Sequence, residues 1–337
     1  MKIRLGTFNL FQFVEPPYSW YTKKDKFNER QWLEKTTWIK HQILKMDCDI
    51  IGFQEVFSRK ALKHLVKDLG FKYFKIVDAA KLSTNNRYKY VTTTVAIASK
   101  YSISNIQVVE VHQPSIDKYN FGKDDKDTFK FSRIPIKATI TLPNKKELLV
   151  YVCHLKSNRL NEFEYVFNEN HTLEHKKELV SKALEGTYSK SLKQRLCEAS
   201  SLFFDIQKYK NQPTVLMCDL NDKEFSLTID ALSNHKYYDD KSKENLLLHD
   251  ASYEYTPEIY NPHPEAKEVK RKATSYFLGK GNVLDYIFIS NDFHKKNENK
   301  IAEVTDYTVL DEHLQENKDG SLLKSDHAQV VCELTFL

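Results

Sequence analysis

The sequence predicts an α/β protein, and three observations carry that expectation. Residues 2 to 70 alternate strand, helix, strand and helix; the middle of the chain runs through consecutive strands; and short polar motifs recur where apolar runs end.

Residues 2 to 11 (KIRLGTFNLF) predict a first strand, and the polar, Pro-containing stretch up to Asn28 predicts a surface loop. From Glu29 to Met46, Trp32, Thr36, Ile39, Ile43 and Met46 recur at helical spacing, which makes this an amphipathic helix. DIIGFQEV is the short apolar run of a buried strand, and a second helix from Arg59 to Leu69 stops at Gly70. YFKIVDA, YVTTTVAIAS, SISNIQVVEV, FSRIPIKATITL and LLVYVCHL then read as successive strands, the last two joined by a PNKKE turn, which implies an antiparallel meander. Helices are expected near 171 to 185 and 190 to 210, a buried strand at PTVLMCDL, and a short helix at FSLTIDALSN. The polar stretch from Asp239 to Lys272, with Pro257, Pro262 and Pro264, reads as a long loop; VLDYIFIS, IAEVTDYTVL and HAQVVCELTFL are the last strands.

Composition limits the classes open to this fold. With 41% hydrophobic residues and 12% aromatics in 337 residues, the chain can bury a substantial core, and disorder is excluded. A length prior of roughly 150 residues per domain suggests two domains. The net charge of +5, from 51 basic and 46 acidic residues, suits a phosphate-bearing substrate but leaves no histone-like basic tail. Five cysteines form no CxxC pair, and several sit in apolar runs such as YVCHL, VLMCDL and VVCEL, so buried thiols in a reducing compartment are expected. The amino terminus lacks a signal-peptide pattern, and no run approaches the ~18 apolar residues of a membrane span. A soluble, cytoplasmic monomer without stable membrane insertion is the expectation.

Five segments place polar side chains at strand ends: Asn9 in TFNL, Glu55 in GFQEV, His154 in VCHLKS, Asp219 and Asn221 in CDLND, and Asp326 and His327 in SDHAQ. That is where an α/β scaffold presents a ligand site. Carboxylates, carboxamides and two histidines are the parts needed to cleave a phosphate ester with a hard cation such as Mg²⁺ or Mn²⁺. Singly, each has a plainer explanation: Asn9 as a turn former, Glu55 as a helix-start charge, His154 as a core histidine, Asp219 and Asn221 as a helix cap. Asp285, inside VLDYIFIS, is harder to dismiss, because an acid in an apolar strand costs several kcal/mol unless paired.

In order and spacing, TFN, QE, HLKS, DLND, LDYIF and SDH resemble the endonuclease/exonuclease/phosphatase family over residues 3 to 336, and FSRIP resembles its phosphate-side arginine segment. The resemblance implies a single domain over residues 1 to 337, against the length prior, because motifs from residue 9 to residue 327 must meet at one site. It implies a deoxyribonuclease-like fold of four layers, a two-sheet β-sandwich flanked by helices on both outer faces. It further implies Asn9, Glu55 and Asp326 as metal-site residues for Mg²⁺ or Mn²⁺, with Glu55 the principal ligand. Asp219 and Asn221 would orient the water and the phosphate, and Arg133 would contact the phosphate. His327, held by Asp285, would contact the scissile phosphate or act as base. His154 stands where deoxyribonuclease-like and sphingomyelinase-like members carry a second catalytic histidine and abasic endonucleases carry tyrosine. Three departures stand out. Phe11 replaces an acid of abasic endonucleases, Cys218 replaces a family glycine, and LDYIF lacks the tryptophan-cysteine-arginine pattern of inositol 5-phosphatases.

The expected activity is that of a metal-dependent phosphodiesterase, foremost a nuclease on DNA or RNA. The loops KDDKDTFKFSR and KEVKRK, together with Trp20 and Tyr21, are candidates for contacting nucleic acid. A sphingomyelinase-like or phosphoinositide-type lipid hydrolase is the alternative, and the sequence offers it no apolar hairpin. A non-enzymatic binding module is disfavoured, since Glu55, Asp219 and His327 are all retained.

Overall fold

The computed structural model describes residues 1–22, 26–119, 128–157, 167–185, 190–238, 246–255, 271–277, 279–316 and 323–337. The first half of the chain forms β1 (Lys2–Phe13), β2 (Ser19–Trp20), α1 (Glu29–Met46), β3 (Ile50–Val56), α2 (Arg59–Asp68), β4 (Tyr73–Lys75), β5 (Leu82–Ser83), β6 (Asn86–Tyr90) and β7 (Thr94–Ser99). Next come β8 (Ser102–Val108), α3 (Gln113–Lys118), β9 (Ile136–Thr141), β10 (Glu147–His154), α4 (Leu173–Glu185), α5 (Lys190–Gln207), β11 (Thr214–Asp219) and α6 (Leu227–Ser233). The last part holds β12 (His249–Asp250), α7 (Ala251–Glu254), β13 (Ser275–Phe277), β14 (Lys280–Asn282), β15 (Asp285–Ile289), β16 (Ala302–Leu310), α8 (Glu312–Glu316) and β17 (Gln329–Phe336).

Helix boundaries follow from capping chemistry. Asn28 caps α1 in a reciprocal box with Gln31, and Asp47 closes it in the left-handed region at φ 46°. The buried stripe of α1 is Lys35, Ile39, Ile43 and Met46, so the helix is rotated slightly from the phase that Trp32 and Thr36 suggested.

Two six-stranded sheets form the body. Sheet 1 has the order β16-β17-β1-β3-β7-β4 and sheet 2 the order β12-β15-β11-β10-β9-β8. The expected single meander is therefore corrected: β7 closes on β3 in sheet 1, while β8, β9 and β10 continue in sheet 2. Part of the stretch read as a loop, within residues 246–255, is β12 and α7; residues 239–245 and 256–270 lie outside the described residues.

Alternation along each strand sorts side chains into three apolar layers. Ile3, Leu5, Ile50 and Ile97 of sheet 1 meet Val150, Val152, Met217 and Ile287 of sheet 2 between the sheets. Phe8, Ile51 and Phe53 point outward onto Ile39, Ile43 and Leu62 of α1 and α2. Tyr151, Leu216 and Phe288 point the other way onto Leu196, Ala199 and Phe203 of α5. Each such buried side chain contributes about 1.5–3 kcal/mol, and the result is the expected helix–sheet–sheet–helix stack. Gly52 shows how closely the sheets approach: a Cβ there would lie 3.0 Å from Val152 Cγ1 and 3.1 Å from Met217 Cβ. All five cysteines are free and buried, as expected. No helix among the described residues is long and apolar enough to cross a membrane.

Candidate active site

Strand register builds the site. In sheet 2, His154 at the end of β10 pairs with Asp219 at the end of β11, and Asp219 pairs with Asp285 at the start of β15. Three polar side chains thus stand in one row at a sheet edge, with neighbouring strands about 4.8 Å apart. In sheet 1, Asn9 of β1 pairs with Gln54 of β3, and Glu55 follows it. The loop before β17 brings in Asp326 and His327, with His327 bridging to Ser275.

The two sheets meet through hydrogen bonds. Asn9 donates from Nδ2 to Asp219 Oδ2 at 2.9 Å, and its Oδ1 accepts the Phe11 N–H at 2.9 Å. Asp219 Oδ1 accepts the Asn221 N–H at 2.9 Å, while His154 Nε2 lies 3.3 Å from Asp219 Oδ2. His327 Nδ1 and Asp285 Oδ2 are 2.8 Å apart, and His327 Nε2 lies 3.9 Å from Asp326 Oδ1. Glu55 Oε2 accepts the Gln12 N–H at 2.8 Å. Glu55, Phe11, Gln12 and Asn221 all have positive φ, between 49° and 59°, a concentration of unfavourable backbone that marks sites where geometry is imposed.

Arg133 joins them from the loop before β9. It donates from Nη1 to Leu155 O at 2.8 Å and from Nη2 to Ser157 Oγ at 3.3 Å. The Tyr21 hydroxyl lies beside Arg133 and Glu55, and that ring remains 48% exposed. Trp20 is a correction: at 3% exposure it packs on Phe27 and cannot reach a ligand. Of the KEVKRK loop, Arg271 is engaged by Asp250, Glu224 and Tyr307, and Lys272 by Asp311. Residues 267–270, and 123–127 of KDDKDTFKFSR, lie outside the described residues.

Burial and mutual charge set the electrostatics. Burial raises the Glu55 carboxyl and nearby Asp326 raises it further, against the pull of His327. The low-dielectric cleft likewise raises Asp326, although its side chain is 53% exposed. Asp219 is pushed up to about 6 by burial and by Asp285, with His327, Asn9 and Asn221 opposing. Burial alone would lower His327, but the carboxylates of Asp285, Asp219 and Asp326 raise it well above an ordinary imidazole. His154 is driven the other way by burial and by the cations Arg133 and His327, which holds it neutral.

Other contributors had not been expected from the sequence. Lys35 of α1 is fully buried, close to the rings of Phe11 and Phe27, and pulled down to about 7 by burial despite Glu55 and Asp326. Its signal was a lysine in phase with Ile39 and Ile43. On α5, buried Glu198 accepts the Ser132 N–H at 2.6 Å and the Lys156 N–H at 2.7 Å. Arg195 reaches Asp222 Oδ2 and Lys156 O, so α5 holds both loops that flank Arg133. Nothing local in the sequence announces that role.

A model of the endonuclease/exonuclease/phosphatase family matches residues 6–327. The chain belongs to the endonuclease/exonuclease/phosphatase family. Solved structures agree on the fold. The human Nocturnin catalytic domain with bound sulfate anion is 16% identical at TM-score 0.60, covering 100% of this chain and 94% of that one. TDP2 of D. rerio, complexed with single strand DNA product, is 11% identical at TM-score 0.54, with 99% of each chain covered. An endonuclease/exonuclease/phosphatase from Bacteroides vulgatus is 13% identical at TM-score 0.53, with 100% of each covered. No curated protein matches the sequence.

Endonuclease/exonuclease/phosphatase proteins hydrolyse phosphate esters and are in general divalent-metal dependent. The residues here fit such a cation. Asp326 raises Glu55 across a shared cleft, Asp285 Oδ1 is buried without a hydrogen-bond partner among the described residues, and the donors are hard oxygens. Asp219, Asp285 and His327 also cluster with potential ligand atoms within 4.8 Å of one another.

Proposed function

We propose that this chain is a divalent-cation-dependent phosphodiesterase that cleaves nucleic acid. The observation that carries the proposal is the convergence of the His154–Asp219–Asp285 row of sheet 2 with Asn9 and Glu55 of sheet 1 and the Asp326–His327 pair. The same convergence supports reading residues 1 to 337 as one domain.

Glu55 and Asp326, with the second lone pair of Asn9 Oδ1, would hold Mg²⁺ or Mn²⁺. When bound, such a cation neutralises phosphate charge and makes water a better nucleophile. His327, kept protonated by the carboxylates around it, gives Nδ1–H to Asp285 and so has Nε2–H left to donate to a phosphate oxygen. Arg133, anchored at Leu155 O and Ser157 Oγ, sits on the phosphate side. Asp219 is held in place by Asn9 and the Asn221 N–H, and with Asn221 it supplies acceptors that orient the attacking water. His154 stands beside Asp219, with Nδ1 buried and unpaired among the described residues, as the second catalytic histidine of this reading.

The preference for nucleic acid rests on aromatic surface at the mouth of the site. Tyr21 stacks edge-on with Phe57, Phe57 with Tyr90, and Tyr90 and exposed Tyr88 both with Tyr18, while the Arg87 guanidinium covers the Tyr88 ring at 4.9 Å. Such a ledge, aromatic with one guanidinium over its outer ring, suits unstacked bases flanking a scissile phosphate. D. rerio TDP2, of like fold, has been captured with single strand DNA product.

The test offers plasmid, single-stranded DNA, RNA and sphingomyelin vesicles in parallel, with Mg²⁺ or Mn²⁺. Strand cleavage that disappears with EDTA and in His154→Ala is the expected result. Release of choline phosphate with every nucleic acid left intact would replace this reading with the lipid one.

A further inference from the structure

A second cluster of ligating side chains lies far from the phosphate site. His249 is on β12, Glu254 ends α7, and His294 follows the single helical turn Asn291–Phe293. His249 pairs with Ile289, the last residue of β15, whereas Asp285 is its first. The two sites are therefore separated by the length of that strand, roughly 13 Å.

The three side chains are arranged as a ligand set. Glu254 Oε2 accepts the Lys295 N–H at 2.8 Å, which fixes the carboxylate, and Oε1 lies 2.9 Å from His294 Nδ1. The His249 ring stacks on His294 with centroids 3.9 Å apart and planes within 3°, and His249 also approaches the Asn291 side chain. The Glu254 and His294 side chains are 5% and 20% exposed. All three residues offer a donor atom within 4.8 Å of the others.

We propose that His249, Glu254 and His294 form a second, structural site for a divalent cation of the zinc type. Two imidazole nitrogens and one carboxylate oxygen suit a borderline transition cation, whereas Mg²⁺ prefers an all-oxygen set. A cation bound at about 2.0–2.2 Å from each donor spaces its ligands roughly 3–3.5 Å apart. The Glu254–His294 pair already has nearly that spacing, and binding would turn the His249 ring out of its stack on His294 to aim a nitrogen at the same point. A proton can bridge only one imidazole to Glu254, while one divalent cation satisfies all three donors and leaves a fourth position for water. Its effect would be to clip the β12–α7 segment to the turn after β15 without touching the phosphate chemistry.

The experiment titrates Zn²⁺ into the full chain held in excess Mg²⁺, so that the oxygen-rich active site is already saturated. One zinc per chain should bind in the wild type and in Glu55→Gln, and raise the thermal midpoint by about 5 °C at saturation. His249→Asn and His294→Asn should each weaken that binding at least tenfold. Co²⁺ in place of zinc should give the visible absorption of a nitrogen-ligated, tetrahedral ion, a readout on the wild type that does not depend on any variant folding. A wild type that takes up no zinc, zinc uptake undiminished in both histidine variants, or zinc lost with Glu55→Gln would each overturn the proposal.

Discussion

Asp285 would be costly in an apolar strand if it were unpaired, and its cost is offset by His327 Nδ1 at 2.8 Å. That oddity was legible in the sequence, because a carboxylate between leucine and tyrosine needs a partner. Which partner was not legible, since His327 is brought to it by the fold. Asp285→Asn keeps the volume but removes the carboxylate charge that keeps His327 protonated, so turnover should fall roughly 10²- to 10⁴-fold with substrate affinity little changed. Steady-state kinetics check this, and a kcat within twofold of wild type would remove Asp285 from the site. His313, away from the chemistry, was not singled out at all. It is buried, lies against the Trp38 ring and within 3.0 Å of His327 O, and burial pulls it down to about 4. The unfolded chain binds a proton near pH 6.5 that the folded state refuses until about pH 4, so stability is full above pH 6.5 and declines below it. At pH 5 the loss attributable to this residue should be about 2 kcal/mol, read as the part of the pH 7 to pH 5 difference in urea stability that disappears in His313→Gln.

The long helices and buried strands were readable because their periodicity spans several turns or alternations: α1 and the strand ends at His154 and Asp219 lie where the pattern put them. Elements of two to six residues, such as β5, β6, α3, α7 and the β13–β14 hairpin, are too short to leave such a pattern. The phase of α1 differs from the one its sequence suggests because a lysine, Lys35, occupies the core position beside Thr36. Nor could periodicity show what α5 does. Its Glu198 grips backbone N–H groups 66 and 42 residues away, at Ser132 and Lys156, and thereby positions the Arg133 and Ser157 loops. Glu198→Gln keeps one acceptor oxygen and sets an amide NH₂ against the other N–H. It should cost about 1–3 kcal/mol of stability and raise KM by roughly tenfold, through loss of Arg133 placement, while kcat changes less. Urea unfolding and steady-state kinetics on the same preparation separate the two effects, and an unchanged KM would confine Glu198 to a stabilising role.

At the scale of the molecule, two sheets packed face to face bring residue 9 and residue 327 to one edge, which no local reading of the chain supplies. The order of the motifs implied that convergence by family resemblance; strand register gives it a physical cause, because one row across β10, β11 and β15 sets His154, Asp219 and Asp285 side by side. What stayed illegible is the surface around the site, where Trp20 turned inward and Arg271 was consumed by Asp250, leaving Tyr21 at the mouth. The most direct test of the account is diffraction at the manganese absorption edge from crystals grown with Mn²⁺ and inorganic phosphate. The account predicts an anomalous peak flanked by Glu55 and Asp326, with phosphate density within hydrogen-bonding reach of His327 and Arg133. Manganese bound only elsewhere, or phosphate lying away from both side chains, would contradict it.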